Sequence, residues 1–510
     1  MLRKQGNRHG AGAPIGDTAR LWAAVQAMAV ECVDVLVVGA GLSGIGAACH
    51  LQALCPSHSF AIVEARQELG GTWDLFRYPG VRSDSDMHTL GYSFRPWTAR
   101  AAIAGGPAIW SYLRDTAREH GVDRKIRFGQ RVVRADWSTP LARWSVELRH
   151  DDGSTSNIEC AFLFMCSGYY DYAGGYAPEF PGRERFGGLV VHPQHWPEQL
   201  DYTAKRVLVI GSGATAVTLV PAMAEKAAHV TMLQRSPTWM VARPSIDSAD
   251  TWLRRWLPLR AALWLTRCKN ILLGMLVVWL CKHRPQRMRE LFLRGVRHAL
   301  GPQADIDKDF TPRYPPWEQR LCLVPDGDLF VAIRQGRASV VTDQIESFTQ
   351  TGVRLASGAT LEADIIVSAT GLKLAMLGQA EISVDGERVD PARSVNYKGV
   401  MATGVPNMAN TFGYTRASWT LKSDLTARYV CRLLNHMRKT GSRQCLVAPV
   451  DSNTPLLPWV DFSSGYFQRA ADVLPKQGST RPWKLNQNYL SDLAALRFGA
   501  LDDGVLRFSR

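Results

Sequence analysis

Closely spaced cysteine pairs are missing from this sequence of 510 residues. Its ten cysteines are scattered, and no two of them form a CxxC motif. A dithiol reductase needs a close redox-active pair and a zinc site needs clustered ligands, so the spacing argues against both classes and predicts no metal site. Scattered thiols are typical of reducing compartments. Because the start also lacks the apolar stretch of a secretory signal, we expect a cytoplasmic protein.

Nucleic-acid-binding motifs are also lacking, although the formal net charge is +14. A positive charge favours anionic partners in general, including a phosphorylated cofactor or an acidic membrane surface. Since no RNA- or DNA-binding motif accompanies it, we expect no nucleic-acid partner. Hydrophobic residues make up 46% of the chain, and its length suits two or three domains with buried cores.

A βαβ unit with a glycine turn is predicted near the start. The apolar run Val33–Val38 leads into GAGLSG, a helical stretch and a second apolar run, Phe60–Val63. Glycines in such a turn let the backbone approach a pyrophosphate, which rests on the helix N-terminus. An acidic residue after the second strand accepts hydrogen bonds from a ribose diol. The pattern predicts a site for a cofactor with a free ribose, such as FAD, at Gly39, Gly41, Gly44 and Glu64.

A second unit of the same design follows about 170 residues later. The run Val207–Ile210 leads into GSGATA and a helix, and the next strand, His229–Leu233, is followed by Gln-Arg-Ser instead of an acidic residue. Arginine can pair bidentately with a 2′-phosphate, and serine can add a hydrogen bond; an ordinary surface arginine is the alternative. The unit predicts an NADPH site at Gly211, Ser212, Gly213, Ala214, Thr215, Ala216, Val217, Arg235 and Ser236.

Two different dinucleotides in one chain imply electron transfer from nicotinamide to flavin, and hence an enzyme. Two further motifs narrow the class. Gly70–Asp84 reads GGTWDLFRYPGVRSD and matches [A/G]GxWxxxx[F/Y]P[G/M]xxxD, whereas Phe186–Pro197 reads FGGLVVHPQHWP and matches FxGxxxHxxxW[P/D]. On these motifs the chain resembles type I Baeyer–Villiger monooxygenases. Over roughly residues 30–505 it is similar to the branch of the bacterial thioamide-activating (ethionamide) monooxygenase.

The resemblance implies an α/β fold with two Rossmann-like dinucleotide-binding domains, the NADPH domain inserted in the FAD domain, plus a helical insert. It also implies that NADPH reduces FAD and that O₂ then forms a flavin 4a-peroxide. This species inserts one oxygen atom into an apolar ketone to give an ester or lactone. Heteroatom oxidation of a sulfide, thioamide or amine is the alternative. A non-oxygenating flavin and NADPH reductase or redox sensor is the second alternative.

The expected domain boundaries follow from the two units and the motifs between them. Residues 1–32 form a leader, which is an appended start if Met28 is the initiator; a short helix over Thr18–Glu31 is the alternative. We expect the FAD domain at 33–175 and 372–510, the NADPH domain at 176–242 and 319–371, and the helical insert at 243–318.

The resemblance also assigns roles to individual residues. Arg320 is the fixed cation for a peroxide anion, since arginine stays protonated at any working pH. Asp84 orients that arginine beside the flavin; a surface arginine and a helix N-cap are the structural alternatives. His192 and Trp196 form a hinge, with acid–base catalysis by His192 as a weaker alternative. The remaining cofactor contacts are Ser43, Thr72, Trp73, Asp74 and, at the adenine edge, Val132 for FAD, and Arg82 and Ser83 for NADPH.

Acidic residues are absent from the stretch 252–289, which holds nine lysines and arginines. Trp252, Trp256, Leu259 and Leu263 recur at helical spacing. The apolar run Ile271–Cys281 has eleven residues, too few for the roughly twenty that span a bilayer. Two interpretations remain. The stretch is an amphipathic lid over the substrate pocket, or it lies in the interface at the inner face of the membrane.

Overall fold

The computed structural model describes residues 30–302, 304–451 and 453–510. The expected leader helix lies outside these residues, apart from its last two positions. The first dinucleotide-binding domain is built on a nine-stranded sheet in which Glu31–Val38 lies between Phe60–Val63 and Thr155–Met165, parallel to both. Across this sheet the strands follow the order Glu387–Arg388, Glu381–Val384, Gln130–Ser138, Arg143–His150, Thr155–Met165, Glu31–Val38, Phe60–Val63 and Ile126–Arg127, and Met408–Asn410 also pairs with Thr155–Met165.

The first strand is buried on both faces, which explains its continuous apolar sequence. Val35 and Val37 face the helices Leu42–Leu54, Gly106–Glu119 and Trp419–Thr440 in one core. Leu36 belongs to a second core on the opposite face, where it packs with Trp137 and Trp144 of the antiparallel strands. Alternate side chains of a strand point to opposite faces, so one strand supplies both cores.

The second domain is a five-stranded parallel sheet placed between the first domain's strands along the chain. Its order is Ala338–Thr342, His229–Gln234, Arg206–Ile210, Ile365–Ser368 and Leu189–Val191. All five strands lie between Thr155–Met165 and Glu381–Val384 in sequence, so this domain is inserted in the first. The predicted fold, with two Rossmann-like domains and a helical insert, is confirmed.

Shorter elements complete both domains. The additional helices are Thr72–Leu75, Met87–Leu90, Ala214–Met223, Asp328–Arg334, Gly465–Arg469 and Tyr489–Leu493. The additional strand pairs and ribbons are Met240–Arg243 with Cys322–Pro325; Ile345–Phe348, Gly352–Leu355 and Thr360–Glu362; Asn396–Tyr397 with Met401–Ala402; Gln444–Val447 with Leu506–Ser509; and Leu456–Pro458 with Lys476–Gly478.

The described part of the insert contains the helices Ser248–Trp256, Leu259–His283, Pro285–Leu300 and Ile306–Asp309. Asp247 caps the first by accepting hydrogen bonds from the backbone of Ala249 and Asp250. Proline at the start of the third helix suits its first turn, where no intrahelical donor is lost. The third helix packs against the second domain through Leu293, Val296 and Leu300.

The two glycine turns differ at their third position, and the packing explains why. A Cβ atom on Gly44 would overlap the carbonyl oxygen of Gly39, because the helix packs directly onto the end of the strand. The second turn carries Ala216 there, and this alanine is fully buried in the core of its domain. The first helix therefore requires glycine at a place where the second accepts a methyl group.

We expect Gly44→Ala to destabilise the first domain by about 1–3 kcal/mol or more, because the backbone must shift to admit the methyl group. The matched change Ala216→Gly should cost only about 0.5–1 kcal/mol through chain entropy. Thermal unfolding followed by circular dichroism compares the two. Equal shifts of the midpoint would contradict the packing difference.

Candidate active site

A cavity of about 1000 Å³ lies between the two dinucleotide-binding domains. Its walls include both glycine turns and two short loops, Cys166–Gly168 and Ala369–Gly371. Each of these loops, called a break below, follows a strand that pairs in parallel with the strand before a glycine turn. The carboxyl ends of both sheets therefore open into this space, which is where ligands bind in open α/β sheets.

The first glycine of each turn is wedged against one of these breaks. Gly39 has a φ of +104° and Gly211 a φ of +133°, values that side-chain-bearing residues rarely adopt. A Cβ atom on Gly39 would lie 2.7 Å from the carbonyl oxygen of Cys166, and one on Gly211 would collide with that of Ala369. Both turns are thus held open toward the cavity, a cradle that fits a pyrophosphate at each helix N-terminus.

Glu64 lies at the cavity wall beside the first turn and is 7% exposed. Its two carboxylate oxygens accept hydrogen bonds from the backbone nitrogens of Ala40, at 2.7 Å, and Arg66, at 2.9 Å. Burial raises the pKa of Glu64, against the lowering effect of these two hydrogen bonds. Each oxygen keeps a lone pair for a further donor, so the carboxylate fits a ribose diol.

Most of the other predicted contacts of the first domain lie in the cavity wall, but Asp74 does not. Thr72, Trp73 and Val132 line the cavity, as does Ser43, whose hydroxyl accepts a hydrogen bond from the Trp419 indole at 2.8 Å. The Asp74 carboxylate is 3% exposed and pairs with Arg66 at 2.5 Å and Arg77 at 2.6 Å. The Asp74 side chain therefore points to Arg66, which does line the cavity, and the expected contact of Asp74 with FAD stays a prediction. Gly44 likewise lies behind the wall.

Asp84 and Arg320 meet inside the cavity, as the resemblance implies. The Arg320 guanidinium lies 2.5 Å from the Asp84 carboxylate, and its side chain is 30% exposed toward the space that it lines. Burial by itself would lower the pKa of Arg320, but the charge of Asp84 and nearby tyrosine hydroxyls raise it above the usual range. Arg320 is therefore a cation at every working pH.

The two residues before Asp84 lie beside the same space. Arg82 lines it and forms an ion pair with Asp328 at the start of the helix Asp328–Arg334. Ser83 is 2% exposed, and it both donates to and accepts from the backbone of Ala104. Both residues therefore hold the Asp84 loop, and both line the cavity.

The second glycine turn presents its backbone to open space. A Cβ atom on Gly213 would meet nothing within 4 Å, which leaves room for a ligand above the helix N-terminus. The Ser212 hydroxyl donates to the carbonyl of Ser236 at 3.1 Å and so joins the turn to the segment after the second strand. Arg235 and Ser236 are exposed and line the cavity with Ser212, Gly213, Ala214 and Thr215, whereas Ala216 and Val217 are buried behind it.

His192 and Trp196 lie outside the cavity wall, in the connection that leads into the second domain. The His192 imidazole packs so closely on Gly175 that any side chain at 175 would overlap the ring. Its Nδ1 accepts a hydrogen bond from the backbone of Gln194 at 3.2 Å, and Trp196 packs against the second domain's core. This placement fits the hinge interpretation of both residues. Because His192 lies outside the cavity wall, it is not placed to exchange a proton with a group that reacts in the cavity.

An aromatic wall around Arg320 escaped the sequence interpretation. Tyr169 stacks on Trp419 with ring centroids 5.1 Å apart, and its hydroxyl lies 2.9 Å from that of Tyr170. Burial raises the pKa of Tyr169, Tyr170 and Tyr466, so all three remain neutral. The sequence signals were the CSG break directly before Tyr169 and the segment 410–424, which contains Trp419 and resembles the family without a motif that assigns a role. Tyr466 lies in the tail, where no motif points to it.

The helical insert does not close this cavity. Within the described part of the chain, no residue between 239 and 313 contributes to the wall, and the nearest contributors are Thr238 and Tyr314. The long helix Leu259–His283 instead packs behind the wall, where Ile271 contacts Tyr414 and Leu421. The interpretation of the insert as a lid over the pocket is therefore wrong for this structure.

The fold and the site together define a flavoprotein oxidoreductase with separate flavin and nicotinamide domains. A family model described as flavin-binding monooxygenase-like matches residues 105–455, and one for NAD(P)-binding Rossmann-like domains matches residues 37–101. The first match covers more than half of the chain. The protein thus belongs to the flavin-binding monooxygenase-like family and is a monooxygenase.

Curated relatives extend this result over nearly the whole chain. The FAD-containing monooxygenase EthA of Mycobacterium tuberculosis is 54% identical over 481 residues, which are 94% of this chain and 98% of the relative. A putative FAD-containing monooxygenase of the same organism, MymA, is 50% identical over 93% of this chain and 97% of its own. The resemblance stated from the motifs is confirmed, and FAD agrees with the names of these relatives.

Solved structures share the fold at low identity. An oxidised steroid monooxygenase bound to NADP aligns with a TM-score of 0.68 at 24% identity and covers 82% of this chain and 88% of its own. An open form of cyclohexanone monooxygenase aligns with a TM-score of 0.67 at 20% identity over 82% of this chain and 90% of its own. These similarities establish the arrangement of two dinucleotide domains.

The position of His192 predicts a pH-dependent contribution to stability. Burial lowers its pKa below the usual 6.5. The unfolded chain regains the usual value, so between the two values it binds a proton that the folded protein excludes. Stability is therefore lost as the pH falls below about 6.5.

We expect His192→Asn to reduce this loss, since asparagine does not titrate and its oxygen can replace Nδ1 as acceptor. Thermal midpoints at about pH 7.5 and pH 5.5 measure the effect. The difference between the two midpoints should be smaller in the variant than in the unmodified protein. Equal differences would show that His192 titrates normally.

Proposed function

We propose that this monooxygenase is an NADPH-consuming Baeyer–Villiger enzyme that inserts one oxygen atom of O₂ into an apolar ketone and releases an ester or lactone. The observation that carries the proposal is the Arg320–Asp84 pair, 2.5 Å apart, inside the cavity between the two glycine turns. A simple flavin reductase has no need of a fixed cation at this place.

Both cofactors fit the residues that line the cavity. In the first domain, the cradle at Gly39 and Gly41 would hold the FAD pyrophosphate, and Glu64 its ribose. In the second, the open backbone at Gly213 would hold the NADPH pyrophosphate, and Arg235 with Ser236 its 2′-phosphate. Bound flavin, once reduced by NADPH, supplies the O₂-activating chemistry.

The chain's own contribution is a preorganised positive charge in the cavity. Arg320 stabilises negative charge that develops on oxygen, since a fixed cation needs no reorganisation at the moment of reaction. Asp84 holds the guanidinium in place through their ion pair. The neutral hydroxyls of Tyr170 and Tyr466, both near Arg320, replace water as its neighbours.

The aromatic wall also suits an apolar substrate. Trp419 and Tyr169 present stacked ring faces beside Ser43, and Phe412 packs behind them. A ketone with a hydrocarbon body would bury apolar surface against these rings at about 25 cal/mol per Å². Its carbonyl would then be the single polar group directed at Arg320.

Product analysis with a medium-chain ketone and a thioether, offered side by side, tests the proposal. We expect ester from the ketone in proportion to the NADPH consumed. Sulfoxide from the thioether with no ester from any ketone would replace the proposal by heteroatom oxidation. If hydrogen peroxide were the sole product with both substrates, the protein would transfer oxygen to neither of them, and the proposal would be contradicted.

Arg320→Ala should lower ester formation by roughly a hundredfold or more, because the developing negative charge loses its fixed partner. NADPH oxidation should continue and yield hydrogen peroxide instead. Arg354→Ala is the matched control, as Arg354 lies exposed on the second domain and pairs with Glu346. Retained ester formation in Arg320→Ala would remove Arg320 from its role.

Arg235→Gln should raise the KM for NADPH by roughly tenfold to a hundredfold, the usual worth of a charge-assisted hydrogen bond to phosphate. The KM for NADH should change little, since NADH lacks the 2′-phosphate. Steady-state kinetics with both coenzymes measure the ratio, again with an Arg354 variant as control. A parallel rise for both coenzymes would contradict recognition of the 2′-phosphate by Arg235.

A further inference from the structure

The long helix Leu259–His283 is apolar on the side that faces away from the protein. Its exposed large apolar residues lie within about half of the helix circumference and so form one broad stripe along the helix. Their side chains are between 37% and 64% exposed, far more than is usual for large apolar residues in such number. The outward stripe consists of Trp264, Leu265, Leu272, Leu273, Leu276 and Trp279.

Two polar residues in the middle of the same helix, Arg267 and Asn270, face inward. Arg267 donates to the backbone carbonyls of His88 and Gly91, both at 2.7 Å. The buried Asn270 amide donates to Asp86 at 2.9 Å, and the half-exposed Lys269 forms an ion pair with Asp247 at 2.5 Å. The inward face is therefore mixed, with polar groups beside buried apolar ones, whereas the outward face carries large apolar residues where an ordinary surface helix is polar.

We propose that the outward stripe is a membrane-docking surface that seats the enzyme on an anionic lipid bilayer. Exposed cations lie at both ends of the stripe, and none of them forms an ion pair within the described part of the chain: Arg255 and Arg260 before it, and Lys282, Arg284 and Arg287 after it. Tryptophan occurs near both ends as well, at Trp256, which is 73% exposed, and at Trp279. Indole and cationic side chains around an apolar stripe suit the interface of an anionic bilayer, where indole rings lie at the level of the headgroups and cations meet the lipid charge.

The helix lies on the bilayer and does not cross it. It has 25 residues and is apolar and long enough to span, but only by length and composition. Spanning would carry Arg267, Lys269 and Asn270 into hydrocarbon and break their contacts with the protein. These contacts fix the helix along the protein surface, so only its outward stripe can enter the lipid.

A second copy of the chain fits the same surface less well than anionic lipid does. Because both ends of the stripe are basic, a symmetric dimer through it would bring cations against cations in either helix orientation. No acidic residue occurs between 252 and 289 to compensate them. Anionic lipid supplies the opposite charge at both ends at once.

The helix that carries the docking surface contacts the segment next to Asp84 in the active site. Asp86, which binds Asn270, follows Asp84 by two residues, and the helix Met87–Leu90 that contains His88 comes next. If the proposed function holds, an apolar ketone dissolved in the bilayer would reach the cavity from the side on which the enzyme is seated. Docking itself does not depend on the substrate and is measured without one.

Co-sedimentation of the flavin-loaded full-length protein with vesicles tests the proposal. Phosphatidylcholine vesicles with and without phosphatidylglycerol are compared at low and high salt. We expect binding to the anionic vesicles, weakened by salt, together with a blue shift of tryptophan emission as indole rings enter the interface. Absence of binding at low salt would overturn the proposal.

Leu272→Gln with Leu276→Gln should weaken vesicle binding at least about tenfold, since both side chains are about half exposed and would enter the lipid. The matched control is Leu141→Gln with Leu456→Gln, two equally exposed leucines outside the insert. Both double variants should keep the thermal midpoint of flavin release. Equal binding by the two would contradict the assigned surface.

Lys282→Gln, Arg284→Gln and Arg287→Gln together should weaken binding to anionic vesicles by about fivefold per charge, with little effect on neutral vesicles. Sedimentation velocity without lipid tests whether a second copy of the chain occupies the stripe instead. A dimer that the leucine double variant dissociates, with no vesicle binding by the unmodified protein, would assign the stripe to a second copy and overturn the lipid proposal.

Discussion

The site depends on two sheets whose parallel strands open their carboxyl ends into one space. In each sheet the first glycine of the turn is wedged against the carbonyl at the end of the neighbouring strand, Cys166 in one and Ala369 in the other. A side chain at Gly39 or Gly211 would push the turn away from its neighbour. The same contact, made twice, therefore leaves two helix N-termini facing a common cavity.

The two residues of the Asp84–Arg320 pair come from distant segments of the chain that meet at this cavity. Asp84 follows the first domain's glycine turn, and its loop is held by Ser83 on Ala104 and by Arg82 on Asp328. Arg320 directly precedes the short parallel pair of Met240–Arg243 with Cys322–Pro325, after the helical insert. Asp84 and Arg320 are 236 positions apart, so they maintain one ion pair only if both backbone segments are fixed. The neighbouring ion pair of Arg82 with Asp328 contributes to this fixation.

Much of the fold was predictable because the strands concerned are buried on both faces. Val33–Val38 and Val207–Ile210 read as continuous apolar runs, and the structure extends them only to Glu31 and Arg206. The motif residues Asp84 and Arg320 were also predictable from resemblance. The partners of the Asp74 carboxylate were not, because a sequence pattern does not show whether a carboxylate points to a ligand or to neighbouring arginines. Tyr466 was missed because a tail without periodic structure reaches the cavity only through tertiary packing.

The insert shows most clearly what periodicity leaves open. Helical spacing predicted an apolar stripe from Trp252 to Leu263, but the chain breaks between two helices at Leu257–Pro258 and Leu263 is buried. The outward stripe lies further along the second of these helices. There Arg267 and Asn270 find carbonyl and carboxylate partners on the protein side, and each contact satisfies a polar group that would otherwise be costly to bury. Because these contacts orient the helix, Leu272, Leu276 and Trp279 point outward. The apolar exposure is thus a consequence of satisfied polar contacts, and a lipid surface is the environment in which it ceases to be unfavourable.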